Sequence, residues 1–309
     1  MATTNPAPAK TLFIIGGATA VGKTGVAIRL AQHFDLDILS ADSRQFYREM
    51  EAGTAKPTTA ERAAARHHFI DFLSVTEPYS VGDFERDAVQ LLAQLFQKHH
   101  AAILVGGSGL FLKAVYSGLD AFPGISDQTK AWVQAGVAGG GMRWLQDQVE
   151  ALDPAYFSQA DRQNPARLRR ALEVCRETGR PYSSFLARPK PERPFEPVFL
   201  LLELPRNELY ARIDARVDQM IDAGLEQEAR SLLPFRHLPA LQTVGYTEWF
   251  DFFDGKTDRS TAIEKIKQHS RNYAKRQATW FRKHGNWTTF HPADMSGMLD
   301  FCTEKLMPV

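Results

Sequence analysis

Lys23 and Thr24 close the run Gly17-Ala18-Thr19-Ala20-Val21-Gly22-Lys23-Thr24, which fits G-x-x-x-x-G-K-[ST] at every fixed position. Residues of these types at this spacing hold phosphate. The glycines let backbone N–H groups turn inward on an anion. Lys23 adds a mobile cation, and Thr24 a hydroxyl that can ligate Mg²⁺. Further on, in Ser40-Ala41-Asp42-Ser43-Arg44-Gln45, a single carboxylate stands out. Asp42 could take a proton from a reacting group. It could equally be the cap of a following helix, and position alone leaves both readings open.

The neighbouring elements have to position these groups. Leu12-Phe13-Ile14-Ile15 is a short unbroken apolar run, expected of a strand buried on both faces. After the glycine loop, Val26, Leu30 and Phe34 recur at helical spacing beside Ala27 and Ala31. The helix start adds its partial positive charge to the loop. Residues 37–40 read as a second strand. Ligands of open α/β sheets bind beyond the carboxyl ends of strands, so Asp42 should lie near the phosphate site. Residues 67–71 suggest a third strand or strand end. A helix carries Phe84, Ala88, Leu91, Leu92 and Leu95. Residues 101–105 form another buried strand, which ends in Gly106-Gly107-Ser108-Gly109. A motor-type ATPase holds Mg²⁺ with an Asp there; the glycine argues against a motor.

From about 121 to 197 the alternation of strand and helix stops. Gly136 to Gly141 is glycine-rich, Pro181 to Pro197 carries five prolines, and helical patterns surround Trp144, Leu145 and Val149 and then Leu168, Ala171, Leu172 and Cys175. The sheet pattern resumes at 198–202. A helix follows with Leu209, Ile213, Val217 and Ile221 on one face, and the last third reads as helical, with 242–247 as a loop. The expected class is α/β: a P-loop parallel sheet flanked by helices, with a helical insertion domain. The core spans 10–120 and 198–309, and the insertion 121–197.

Composition sets the wider bounds. The chain has 309 residues, 44% hydrophobic and 24% charged, with net charge +1. Those are ordinary globular values, and the global charge names no partner. Two cysteines form neither a metal pattern nor a disulfide framework, which fits a reducing cytosol. No signal-peptide core and no apolar run of about eighteen residues is visible, so a cytoplasmic protein without a membrane partner is expected, acting as a monomer. The distribution of charge is uneven. Between 259 and 287, eight Lys/Arg face one Glu, with Tyr273, Trp280, Phe281 and Trp287 interleaved. Between 162 and 193, nine Lys/Arg face three Glu. Such a mixture suits a nucleic-acid backbone and its bases. His67-His68 read as hydrogen-bonding residues rather than metal ligands, because no third ligand is spaced with them. His99-His100 suit a helix C-terminus, and Cys175 and Trp144 read as core.

Taken in order, GGATAVGKT, SADSRQFY, GTAKP, HHFID, YSVGDF, VGGSGLF, RLRRALEV with TGRPYS, RIDARVDQMIDAGL, TVGYTE and NYAKRQATWFR closely resemble the tRNA dimethylallyltransferases, over about residues 11 to 290. The resemblance implies an enzyme that moves a dimethylallyl group from dimethylallyl diphosphate to the adenine amine (N6) 3′ of the anticodon, with Mg²⁺ as cofactor. It implies that Gly17, Ala18, Thr19, Ala20, Val21, Gly22, Lys23 and Thr24 hold the diphosphate, with Thr24 on the metal. Asp42 becomes the general base, Ser108 acts at the diphosphate and base, and Arg216, one turn after Arg212, neutralises the leaving group together with Lys23. Contacts to the tRNA anticodon stem-loop are implied for Asp42, Ser43, Arg44, Gln45, Ser108 and Lys130. They are implied also for Ala166, Arg167, Leu168, Arg169 and Arg170 in the insertion, and for Gln242, Thr243, Val244, Gly245, Tyr246 and Thr247. The last set is Lys275, Arg276, Gln277, Ala278, Thr279, Trp280, Phe281 and Arg282. Ser108 stands where many members have threonine, Ala18 replaces a common proline and Val21 a common serine. The Cys/His set of a zinc finger found in some eukaryotic members is absent, so the chain looks like the bacterial type. A small-molecule or nucleoside kinase would also place an Asp after the second strand, but has less reason for two basic blocks. A non-catalytic RNA-binding protein has no use for an intact Lys23, Thr24 and Asp42.

Overall fold

The structure, a computed structural model, describes residues 10–186 and 191–307. The chain begins with β1 (Thr11–Gly17), α1 (Lys23–Phe34), β2 (Ile38–Ser40), α2 (Thr59–Ala64), β3 (His67–His68), α3 (Val81–Leu95), β4 (Ala101–Gly106) and α4 (Gly109–Ser117). Four helices follow: α5 (Asp127–Leu152), α6 (Pro154–Gln159), α7 (Pro165–Thr178) and α8 (Ser183–Leu186). It then returns through β5 (Glu196–Leu202), α9 (Arg206–Asp222), α10 (Leu225–Ser231), α11 (Thr247–Phe253), α12 (Arg259–Lys283), β6 (Thr288–Phe290) and α13 (Met295–Leu306).

The six strands form one parallel sheet in the order β3-β2-β4-β1-β5-β6. Every residue of β1 is buried, as a central strand covered on both faces must be. Its side chains alternate between two cores. Leu12 and Ile14 join Leu39, Leu104, Phe46 and Phe84 on one face. Phe13 and Ile15 join Ile38, Ile103, Val26 and Leu30 on the other, with Met298 and Cys302 of α13. From β1 the chain crosses over β4 to reach β2; from β4 it returns across β1 to β5. Adjacent strands whose connections leave in opposite directions make a crevice at their carboxyl ends, and both glycine loops lie there.

The edges depart from the sequence pattern. Strand β6 was not expected; its three residues are too few to show a period, and two of them are exposed. Strand β5 starts at Glu196, before Pro197, and not at 198. A proline is tolerated because β6 pairs only with residues 200–202, so the missing N–H faces no partner strand.

The chain forms two compact units, a sheet unit up to Ser117 and from Arg193 on, and a helical unit, Gly118–Glu192. Residues 193–197, assigned above to the insertion, thus fold with the sheet. The Arg193 guanidinium binds Glu85 at 2.5 Å and donates to the Ala114 carbonyl at 2.8 Å. The helical unit has its own core of Val133, Leu145, Val149, Phe157, Leu168, Ala171 and Leu172. Its glycine-rich stretch stays helical as far as Gly141, whose positive φ of 62° kinks α5. The reason for the glycines is steric: a Cβ on Gly136 would lie 2.1 Å from the Trp144 indole. Buried Asp153 caps α6 through the Tyr156 amide (3.0 Å) and also accepts from Ser183 (2.6 Å, amide; 2.9 Å, hydroxyl).

Candidate active site

The loop from β1 to α1 follows from its residues. Gly22 takes φ 104°, a left-handed turn that a side chain would strain. No side chain caps α1 and no acid lies in its first turn, so the free amides of that turn face the crevice, ready for an anion. Lys23 Nζ donates to the Ala18 carbonyl at 2.7 Å. Burial brings this ammonium down to about 8; Asp42 opposes that shift and Arg216 adds to it. Arg216, on α9, is held below the usual arginine range by burial, again against the pull of Asp42. Its Nη2 reaches the Thr54 carbonyl at 3.3 Å. One carboxylate and two recessed cations thus sense one another across the crevice.

Asp42 follows β2. Its Oδ1 accepts from the Arg44 amide at 3.1 Å, while Oδ2 makes no hydrogen bond among the described residues. Asp42 caps no helix: residues 43–46 and 48–49 form turns, the short 3₁₀ helix Ala52–Thr54 begins after Glu51, and the next α-helix, α2, is capped by Thr58. The Arg44 guanidinium donates to the carbonyls of Pro239 (3.1 Å) and Ala240 (2.8 Å). Gln45 is buried. It accepts from Ser40 Oγ at 3.1 Å and donates to the Thr54 and Ala55 carbonyls at 3.4 Å.

These groups line a cleft of about 730 Å³. Thr19, Ala20, Gly22, Lys23, Thr24, Asp42, Ser43, Ser108, Arg212 and Arg216 form its polar wall. Ile213, Val217, Met220, Val244 and Ile266 form an apolar one. Gly17, Ala18 and Val21 lie behind the loop, buried. Tyr273 also lines the cleft, 39% exposed, and the protein packed around its ring, then the Asp42 charge, push its phenol above the usual tyrosine value. Sequence reasoning counted Tyr273 only as an aromatic in a basic block. Its place four residues before Gln277, on the same helix face, was the available signal.

Among the residues implied to touch tRNA, Lys130, Ala166, Arg167, Arg169, Gln242, Lys275, Arg276 and Arg282 are exposed. Arg170, Thr243, Val244, Thr247, Ala278, Thr279 and Trp280 are partly covered. Leu168, Tyr246 and Phe281 are buried away from any surface, while Gln45, Gly245 and Gln277 are buried at the border of the cleft. Leu168 belongs to the core of the helical unit. Tyr246 is 0% exposed, and its hydroxyl donates to Glu228 at 2.6 Å. That glutamate also receives the amides of Glu51, Ala52 and Gly53 at 2.7–3.0 Å. Phe281 packs against Gly16, where a Cβ would come within 2.6 Å of the ring.

The basic block of α12 divides in the same way. Arg259 pairs with Glu226 (2.8 Å), Lys267 with Asp218 (2.7 Å) and Arg271 with Asp214 (2.5 Å), so these three are turned toward α9 and α10. Lys265, Lys275, Arg276, Arg282 and Lys283 have no ion pair among the described residues. In the helical unit, Arg162, Arg170, Arg176 and Arg180 lie over aromatic rings, Arg176 at 3.7 Å from Trp132. Arg188 and Lys190 of the second block lie outside the described residues. Cys175 is buried in α7, and Trp144 packs on Trp132 with centroids 5.3 Å apart. His68 Nε2 meets Asp37 at 2.7 Å, and His67 Nδ1 the Ala65 carbonyl at 2.8 Å. His99 and His100 fall after the end of α3, not in its last turn.

No group of three His, Cys, Asp or Glu side chains that could hold a metal occurs among the described residues. Mg²⁺ commonly takes one or two protein oxygens, waters and substrate phosphate. Thr24 and Asp42, facing one cleft, fit an ion of that kind that comes with a diphosphate.

Residues 45–284 match the IPP transferase family. The chain is 53% identical over 272 residues to the tRNA dimethylallyltransferase of Christiangramia forsetii, covering 88% of this chain and 90% of that one. It is 43% identical over 297 residues to that of Cytophaga hutchinsonii, covering 96% and 98%. The solved tRNA isopentenylpyrophosphate transferase of Bacillus halodurans is similar with TM-score 0.72 at 34% identity, over 96% and 97% of the two chains. These likenesses run through the phosphate loop, the helical unit and α12 alike, and they leave no room for the kinase reading: the chain belongs to the tRNA dimethylallyltransferase family.

Proposed function

We propose that this enzyme transfers the dimethylallyl group of dimethylallyl diphosphate to the exocyclic N6 of the adenine 3′ of the anticodon in tRNA. The observation that carries this reading is the meeting of Lys23, Arg216 and Asp42 in one cleft with an apolar wall. The amides of residues 20–24, with Lys23 and Arg216, receive the diphosphate. Met220, Val244 and Ile266 suit the prenyl chain. As the allylic carbon–oxygen bond breaks, its electron pair leaves with the diphosphate, and the two cations stabilise that charge. The new bond forms from the adenine nitrogen to the allylic carbon. The amine is a poor nucleophile, and Asp42, through its free Oδ2, takes its proton. Bound Mg²⁺ supplies further charge neutralisation at the leaving group. Ser108 orients the reactants from the loop after β4.

The target base has to leave the anticodon-loop stack to reach this depth. Lys275, Arg276 and Arg282, with the exposed Arg167 and Arg169 of the helical unit, hold the RNA backbone. The enzyme acts as a monomer, since one chain supplies the whole cleft, and it works in the cytosol, where the buried thiols Cys175 and Cys302 stay reduced. No helix among the described residues is long and apolar enough to cross a membrane.

Incubation with tRNA and dimethylallyl diphosphate, followed by mass analysis of anticodon-loop adenosines, tests the reading. One prenyl group gained on one adenosine is the expected result. Phosphoryl transfer from ATP without prenyl transfer would overturn it.

A further inference from the structure

We infer that Gln277 is a positioning residue of the donor site: its side-chain amide ties the phosphate loop after β1 to the loop after β4. The inference rests on the donor-site reading above, and it moves Gln277 from the RNA surface to the diphosphate loop.

The side chain is only 6% exposed, inside α12. Its Oε1 accepts from the Thr19 amide at 2.9 Å, and its Nε2 donates to the Gly107 carbonyl at 2.9 Å. Those two backbone groups fix which way the amide points, since one gives a proton and the other needs one. The ladder between β1 and β4 ends at Gly16 and Gly106. Beyond that point the two loops share no strand pairing, and Gln277 continues the connection where the ladder stops. Gly107 makes the approach feasible: a Cβ there would lie 2.3 Å from Nε2. One turn beyond that contact the helix is held in register. Trp280 covers Gly109, where a Cβ would meet the indole at 2.1 Å, and Phe281 covers Gly16.

A phosphate loop works by aiming its amides inward. The Thr19 amide is committed to Gln277, so the diphosphate is left to the amides that follow. Their direction depends on where Thr19 is pinned. Glutamate at 277 would keep the acceptor but lose the donor, and methionine would fill the space with neither.

The test uses Gln277→Met, Gly107→Ala and the double variant in the full chain. Binding of inorganic diphosphate, binding of tRNA, kcat, donor KM and thermal unfolding are measured for each. Each single change should weaken diphosphate binding and raise donor KM about tenfold, the effect of leaving a buried amide and carbonyl unpaired. Affinity for tRNA should stay within about twofold. The double variant should be no worse than the weaker single, because both changes remove the same bond. Weaker tRNA binding with unchanged donor KM would return Gln277 to the RNA surface. A lower melting temperature with unchanged diphosphate binding would make it a packing residue only, and additive losses would deny the shared bond. If the parent protein transfers no prenyl group, the reading of the reaction fails, while the diphosphate comparison still decides the tie.

Discussion

Asp42 and Lys23 sit a few residues from ordinary turn and loop chemistry, and what sets them apart is the company they keep. Asp42 accepts the Arg44 amide with one oxygen and leaves the other to the cleft. Asn keeps the size and the turn but cannot take a proton. We expect Asp42→Asn to keep donor and tRNA binding and to lose about 10²–10⁴-fold in kcat, the range of a general base. Single-turnover prenylation with both substrates saturating checks this; a rate within about threefold of the parent lies outside that range and would leave the reaction without its base. Lys23 gives a pH test. In the free protein it releases its proton near 8, whereas the ordinary lysine value is 10.5. Between those values the unfolded chain binds more protons, so this residue makes the free protein more stable as pH rises through that window. A bound diphosphate favours the charged form and acts the other way. Donor affinity should therefore fall about tenfold per pH unit above pH 8, and Lys23→Met should bind weakly with no such step. Calorimetric titration from pH 7 to 10 reads both.

At the scale of elements, α12 does two jobs on two faces. One face is locked: Gln277 and Phe281 are buried against the glycine loops, and Arg259, Lys267 and Arg271 are paired with acids. The other presents Lys275, Arg276 and Arg282 to solvent. Reversing charge at Arg276 and Arg282 together should weaken tRNA binding at least about tenfold at moderate salt and flatten its salt dependence, because fewer counterions are released. Diphosphate binding should hold. Filter binding across a salt series checks this; loss of both ligands together would contradict the division. The 242–247 segment works differently. Its Tyr246 joins the 51–53 amides on Glu228 and braces the loop from inside, while Gln242 stays exposed and Thr243 and Val244 face the cleft. Glu228→Ala leaves those amides and the phenol unpaired, and should cost roughly 2–3 kcal/mol of stability, measured by urea unfolding.

At the scale of the whole molecule, each unit has its own core, and every residue lining the large cleft belongs to the sheet unit. Replacing residues 118–192 with a flexible linker should therefore leave a folded sheet unit that binds diphosphate with near-parental affinity. Its tRNA affinity should fall by about tenfold or more with the loss of the second basic block. Circular dichroism and parallel titrations with diphosphate and tRNA check this. A sheet unit that unfolds on excision would contradict the independence of its core.

The sequence by itself determined the strand, glycine loop and helix that hold phosphate, because a buried parallel strand and an amphipathic helix write their periods into a dozen residues. It determined the break into a helical insertion, through the loss of that alternation. The ordered motifs carried the family. Tertiary structure alone decided which members of those motifs face outward. Leu168, Gln277 and Phe281 each sit beside an exposed arginine in sequence, and Tyr246 shares its motif with exposed Gln242; their burial is set by the small core of the helical unit, by the glycines of distant loops and by Glu228. The same holds for charge: Arg271 and Arg276 look alike along the chain, but only one faces Asp214. Strand β6 was unreadable because three residues carry no period, and it exists only because β5 offers an edge. Local pattern fixes which elements form; contacts between residues far apart in the chain fix what each side chain is free to touch.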